Sequence, residues 1–445
     1  MAAHFMRRFS RDRKGNVAVI FALALVPTIF LIGMALDFAS AMQKRTQLNA
    51  AADAAALAAV TPAMMKQTTT TAKAAASNIF KAEASAIGAL TYNNPTINVT
   101  STNGGLTRTV TVSYTASSIN NFPNVLGQST WPLSGSSQAV ATTAPNIDFY
   151  LLLDNSPSMA IAATTVGINT MVNATKNAPS NGENAGGCAF ACHETNPAAD
   201  NLGNPGGIDN YQLAKNLGVV TRIQNLASAT QTLMTTATSM EASNNSQYRM
   251  AIYTFNFSGT TTIQALTSNL TTAKNSASTI DVLPVYKNNW LTSSNNNSDA
   301  DTDFNSAMSQ INGIMPNPGT GTSGSSPQEV LFIVSDGVDD KVAASCPSPA
   351  VGLSGNRCQQ PFSNTWCTTV KNRGILIAVL YTVYYPLPGN AWYNQWIAPF
   401  QTQIATRMQS CATPGLYFAV STDDDITAAM QALFAQAVAT ARLSN

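Results

Sequence analysis

The sequence predicts an α/β fold, a doubly wound and mostly parallel sheet, preceded by an N-terminal transmembrane helix and a small β-rich region. Three features predict it: a charge-free apolar run near the N-terminus, a change after residue 145 to alternating buried strands and helices, and oxygen-bearing side chains gathered at strand ends. The 445 residues are enough for two or three domains with a substantial core. Net charge is +1 and only 10% of residues are charged, so no basic or acidic field recommends nucleic acid, and none is expected as a partner.

The apolar run extends from Val17 to Leu36, "VAVIFALALVPTIFLIGMAL". As a helix it rises about 30 Å, enough to cross a bilayer core. Arg7, Arg8, Arg11, Arg13 and Lys14 crowd its N-terminal side, whereas Asp37 opens the other with only Lys44 and Arg45 nearby. The positive-inside tendency then places residues 1–15 in the cytoplasm and the rest of the chain outside it, as a single-pass protein. A cleaved signal peptide ending at Ala39-Ser40-Ala41 is the rival reading, but its apolar region would normally run only about 7 to 15 residues. Gly15 resembles a prepilin cleavage site, yet Ile20 stands where such substrates carry an acid.

Strong helix formers continue the span as far as Thr61-Pro62, so residues 16–62 form one extended, Ala-rich helix, with Pro27 the point where it would bend. Residues 63–145 read as a small β-rich region. In it "TINVTST" and "LTRTVTVSYTA" flank Asn103-Gly104-Gly105 as a half-buried hairpin. A long helix followed by such a region has a pilin-like outline.

Residues 146–445 supply the α/β domain. Its strands are "IDFYLLL", "YRMAIYTFN", "EVLFIVSDG", "GILIAVLYTVYY" and "GLYFAVST"; its helices lie near Tyr211–Met240, Asp303–Met315 and Trp392–Gln409, with one more at the C-terminus. Asp423, Asp424 and Asp425 are placed to cap that last helix, the alternative being a second cation site. Two stretches near 160–209 and 341–370, rich in Asn, Gly, Pro and Ser, interrupt the alternation as surface insertions and hold five of the six cysteines. Cys188, Cys192, Cys346, Cys358, Cys367 and Cys411 all fall on the exported side, where disulfides are the default and sequence leaves the pairing open. In "CAFACH" three residues separate the cysteines, one too many for haem attachment, so a local disulfide or pairing with the other insertion is expected.

Ligand sites of open parallel sheets lie at the carboxyl ends of strands. The tip of the first strand gives Asp154, Ser156 and Ser158; the loop "DADTDFNSAM" gives Thr302; the tip of "LFIVSDG" gives Asp336. Two carboxylates and three hydroxyls, with no His or Cys among them, select Mg²⁺, Ca²⁺ or Mn²⁺ over zinc or copper. The bland alternative is that Asp154 and the serines merely cap the following turn.

"DNSPSM", "DTDFNSAM" and "VSDG", in this order, resemble the Asp-x-Ser-x-Ser, Thr and Asp elements of a metal-ion-dependent adhesion site in a von Willebrand factor type A domain. The resemblance implies that Ser156, Ser158 and Thr302 ligate the cation directly. It also implies that Asp154 and Asp336 act directly or through water, and that an acidic side chain of a partner completes the shell. The N-terminal "RDRKGNVAVIFALALVPTIFLIGMALDFASAMQKRTQLNAAADAAALAA" is similar to TadE/TadG-like proteins of tight-adherence (Flp) pilus systems. Together these imply a membrane-anchored, non-enzymatic component of pilus assembly or surface adhesion, whose partners are pilin-like or other pilus-assembly proteins. The alternatives are an envelope assembly scaffold of chaperone type with a vestigial site, and an envelope hydrolase. The hydrolase would need His193, because His4 lies on the cytoplasmic side.

Overall fold

A computed structural model describes residues 15–123, 127–182, 184–288, 302–342, 345–346, 351–352, 357–387 and 389–443. The basic N-terminus, most of the loop ahead of Thr302 and parts of the second insertion lie outside the described residues. The chain forms two compact units, Met1–Thr143 and Ala144–Asn445.

In the first unit, helix α1 (Gly15–Ala58) runs unbroken through Pro27. Its first half is long and apolar enough to cross a membrane. Its second half changes character: Ala41, Leu48, Ala52, Ala55, Ala56 and Ala59 are buried at helical spacing. The small alanines let the helix lie close against a four-stranded antiparallel sheet. There β3 (Thr107–Ile119) is the spine, β1 (Leu90–Tyr92) and β2 (Thr96–Thr102) share one of its edges, and β4 (Thr130–Thr142) takes the other. The hairpin expected around Asn103-Gly104-Gly105 pairs Thr102 with Thr107. Residues 63–145 also hold a helix that the sequence reading left out, α2 (Thr69–Ser85). Its Ala72, Ala76, Phe80 and Ala84 face the core, and Phe80 stacks on Tyr114.

Three charged groups fasten α1 to the sheet. Asp37 accepts hydrogen bonds from the backbone N–H groups of Asn121 and Phe122 at 2.7 and 3.1 Å. Lys44 Nζ donates to Ala89 O and Ser118 Oγ. Arg108 on β3 donates to Met64 O and Gln67 O at 2.7 and 2.6 Å, just beyond the end of α1. Burial lowers the Arg108 pKa, so the guanidinium depends on these carbonyls.

The second unit is built on a six-stranded sheet of order β13-β12-β8-β5-β6-β7. Its strands are β5 (Ile147–Asp154), β6 (Tyr248–Asn256), β7 (Gly259–Thr267), β8 (Gln328–Ser335), β12 (Leu376–Thr382) and β13 (Tyr417–Val420). All neighbours are parallel except β7, an edge strand antiparallel to β6 that the sequence reading left out. Alternate residues of β5 and β8 supply two cores. Phe149, Leu151, Leu153, Val330, Phe332 and Val334 pack with α5 (Arg222–Asn244) and α11 (Ile426–Leu443). On the opposite face Tyr150, Leu152, Leu331 and Ile333 pack with α7 (Phe304–Ile314) and α10 (Gln401–Cys411). Helices on both faces explain why β5 is buried along its whole length.

Two expected helices are each divided. The one near Tyr211–Met240 is α4 (Asn210–Asn216) followed by α5, because Gly218 turns the chain at φ +69° and Thr221 with Gln224 restarts it in a capping box. The one near Trp392–Gln409 is α9 (Ala391–Trp396) and α10, with Pro399 between them. The first insertion contains a helix of its own, α3 (Thr165–Thr175). The second contributes β9 (Val338–Val342), β10 (Val351–Gly352) and β11 (Arg357–Pro361), which pair in a small antiparallel sheet, and α8 (Thr365–Asn372). Disulfides join Cys346 to Cys358 and Cys367 to Cys411. These pairs rule out any bridge between the two insertions, because all three cysteines of the second are bonded elsewhere. Of the three acids before α11 only Asp425 caps it, accepting from the N–H groups of Thr427 and Ala428. Asp423 instead receives Thr165 N and Oγ1 at 3.0 and 2.6 Å, holding the start of α3.

Arg108→Ala removes a buried guanidinium and its hydrogen bonds to two carbonyls, so urea unfolding of the full chain is expected to show a loss of roughly 2–4 kcal/mol in the first unit. An unchanged midpoint would contradict the role given to this residue.

Candidate functional site

Asp154 is the last residue of β5, and Asp336 follows the last residue of the adjacent parallel strand β8. Register sets Leu153 level with Val334, so Asp154 stands beside Ser335 and one residue short of Asp336, and both carboxylates fall at the carboxyl edge of the sheet. Both are fully buried. Asp154 Oδ1 accepts from Ser156 N at 2.9 Å and Ser156 Oγ at 2.6 Å, and Ser156 Oγ lies 3.0 Å from Ser158 Oγ. Asp154 Oδ2 accepts from Ser335 Oγ, and Asp336 Oδ1 accepts from Val338 N at 3.2 Å. Gly337 makes the exit from this tip possible: its φ is +77°, and a Cβ there would lie 2.5 Å from Ile404.

Burial, followed by the charge of Asp336, pushes Asp154 up to about 7 despite the hydroxyls of Ser156 and Ser335. Burial likewise raises Asp336, opposed by Ser158, the Val338 N–H and the positive charge of Arg222. Although Ser158 favours the charged form of Asp336, Asp336 Oδ2 is buried with no hydrogen-bond partner within geometric limits among the described residues. A buried carboxylate oxygen left over in this way fits a cation site, where the ion would take the remaining lone pair. Among the described residues no group of three or more His, Cys, Asp or Glu is arranged to hold a metal. Any site here consists of two carboxylates and neighbouring hydroxyls, which is hard-cation chemistry.

The structure thus brings Asp154, Ser156, Ser158 and Asp336 together. Thr302 is buried and bridges Asp340 on β9, through N–H to O contacts of 2.8 and 2.9 Å in the two directions. The same bridge is secured by Asp339 Oδ1, which accepts from Phe304 N, and by Lys341, which pairs with Asp303 and Asp339. Thr302 is therefore held beside the continuation of the Asp336 strand. Its hydroxyl makes no hydrogen bond to the other four residues among those described. Two contributors were missed from sequence. Ser335 sat inside the quoted "VSDG" but carried no spacing signal. Arg222 opens α5, is 3% exposed and donates to Val383 O at 2.7 Å and Thr422 Oγ1 at 3.2 Å.

His193 lies elsewhere. Its Nδ1 is 2.7 Å from Asp209 Oδ2 and its ring faces Tyr211, with no side-chain hydroxyl or thiol bonded to it among the described residues. Among the described residues the nucleophile that a hydrolase reading requires is not beside it.

Six strands in this order, parallel but for one edge strand and covered by helices on both faces, form the doubly wound α/β domain expected from the sequence, and the Asp-Asn-Ser-Pro-Ser turn after the first gives it its resemblance to a von Willebrand factor type A domain. The segment ahead of it is of another kind: residues 15–76 match the family described as putative Flp pilus-assembly TadE/G-like. No curated protein matches the chain. Among solved structures it is similar to the vWF domain of the type V pili tip protein Mfa5 of Porphyromonas gingivalis, with 10% identity, 68% of this chain and 97% of that one covered, and a TM-score of 0.35. It is also similar to the pilus adhesin SpaC of Lactobacillus rhamnosus GG, with 10% identity, 78% and 33% covered and a TM-score of 0.35. A third is the SpRpn10 VWA domain, with 8% identity, 66% and 95% covered and a TM-score of 0.30. These superpositions are loose, and the fold assignment stands on strand order and connection.

An acid whose pKa is raised by folding holds more protons in the folded than the unfolded state. Without metal, stability should therefore fall as pH rises from about 4, the ordinary carboxylate value, towards the raised value of about 7. Thermal melts of the metal-free chain are expected to give a higher Tm at pH 5 than at pH 7.5. Asp154→Asn should flatten that slope; an unaltered slope would show that other groups set it.

Proposed function

We propose that the chain is a membrane-anchored, non-enzymatic component of a tight-adherence (Flp) pilus assembly or surface-adhesion system. Its second unit binds a partner protein through a divalent-cation-dependent site formed by Asp154, Ser156, Ser158, Thr302 and Asp336. The pilus setting is supported by the family match over residues 15–76. The observation that carries the site is the pair of buried carboxylates at neighbouring strand tips, one with an oxygen that has no hydrogen-bond partner among the described residues. Mg²⁺, Ca²⁺ or Mn²⁺ would be held by Ser156 and Ser158 with Thr302, while Asp154 and Asp336 supply charge directly or through water. A shell with so few carboxylates leaves a position for an acidic side chain of a pilin-like or other pilus-assembly protein. On this reading the N-terminus is cytoplasmic, the apolar part of α1 spans the inner membrane and the rest of the chain lies beyond it.

A second reading has its own observation. Arg222 is buried and its positive charge acts on Asp336, so a guanidinium could supply the compensation a cation would otherwise give. The domain would then be an envelope assembly scaffold with a vestigial site, capturing partners without metal.

Manganese titration of the purified full chain, followed by calorimetry or spin resonance, separates the two. The adhesion-site reading expects saturable binding of one ion, weakened at least about tenfold by Asp336→Asn, and partner capture abolished by chelator. Absence of ion binding, with capture indifferent to chelator, would overturn it in favour of the scaffold.

A further inference from the structure

The end of the first unit where α1 leaves its apolar run carries a cluster that the proposed function does not use. Phe38 on α1, Ile119 at the end of β3 and Phe122 just after it are all exposed, at 50%, 42% and 40%. Trp131, near the start of β4, meets Phe38 edge to face with ring centroids 6.0 Å apart. We propose that this β3–β4 end is a second membrane contact, with Ile119, Phe122, Trp131 and Phe38 lying in the interfacial layer of a lipid bilayer.

Depth is the first argument. Phe122 packs on Gly33, where a Cβ would come 3.4 Å from its ring. Gly33 lies inside the apolar run, three residues before its end at Leu36 and so about 4–5 Å deeper along the helix. A ring seated there lies within about one turn of Ile29, Phe30 and Ile32, which are exposed on the same helix.

Backbone chemistry is the second. Close to hydrocarbon, an N–H without a partner is costly, since no water is there to take it. Asp37 accepts both N–H groups of Asn121 and Phe122, the residues nearest that level. Two turns further on, Lys44 holds Ala89 O, Ser118 Oγ and Ile119 O. Acid and base together fix the height of the turn against α1, so the apolar groups cannot retract.

Composition is the third: Trp favours the headgroup level on either side of a span, and Trp131 supplies one beside Phe38. A soluble partner would have to approach at a height already filled by headgroups, whereas lipid is continuous with the surface of α1. The inference rests on reading α1 as a membrane span, and its test keeps the two apart.

The full chain is reconstituted in phosphatidylcholine nanodiscs carrying bromines either shallow or deep in the acyl chains, and each variant's added tryptophan emission is read by difference. Phe21→Trp reports α1; Phe122→Trp reports the turn. The expected result is that Trp emission added at 21 is quenched about twofold or more by deep bromines, and that added at 122 by shallow ones. Quenching at 21 alone, with the emission at 122 accessible to aqueous iodide, overturns the second contact and leaves the span standing. Loss of both overturns the span and the inference with it. A photo-crosslinker at position 122 that captures protein rather than lipid in cell membranes would also overturn it. Asp37→Ala, which frees the turn, is expected to lower the shallow quenching at 122 while that at 21 persists.

Discussion

Two carboxylates buried side by side at neighbouring strand tips constrain everything around them. Asp154 and Asp336 are brought together because β5 and β8 are parallel neighbours that end at the same level. Burial raises both pKa values, the charge of Asp336 adds to the rise at Asp154, and the hydroxyls of Ser156, Ser158 and Ser335 oppose it. The sheet tolerates such a tip only because its strands are held by cores on both faces. What looks from the sequence like polarity added to the end of an apolar strand depends on that rigidity.

The first unit solves a related problem in the opposite way. There the buried charges face backbone groups rather than each other. Asp37 faces N–H groups, while Lys44 and Arg108 face carbonyls. Each neutralises dipoles that the meeting of helix end, strand end and turn would leave unpaired. A helix that is mostly alanine on its buried side has little apolar area to hold it, so directional contacts carry more of the attachment.

Much of this was legible in sequence where one period dominated. The buried runs "FYLLL" and "LFIVS", the Thr and Val alternation of β3 and the charge-free span each declare a single environment. What escaped had mixed signals. Helix α2 is rich in Thr and Ala and reads as linker until Phe80 is placed against Tyr114. The edge strand β7, "GTTTIQALT", has little apolar content because only one side of it is paired. Long apolar patterns near 211–240 and 392–409 concealed breaks at Gly218 and Pro399, since periodicity does not register a single turn. At the site, Asp154, Ser156 and Ser158 declared themselves by spacing. Arg222 could not, because nothing local ties it to a strand tip more than a hundred residues away.

The Cys367–Cys411 bridge lies on one face of the large sheet. It joins α8 to the end of α10 across 44 residues, and both helices belong to the same face. Closing a loop of that length in the unfolded chain is worth about 4 kcal/mol on the chain-entropy account. The compartment that supplies the oxidant therefore decides when the domain gains this constraint.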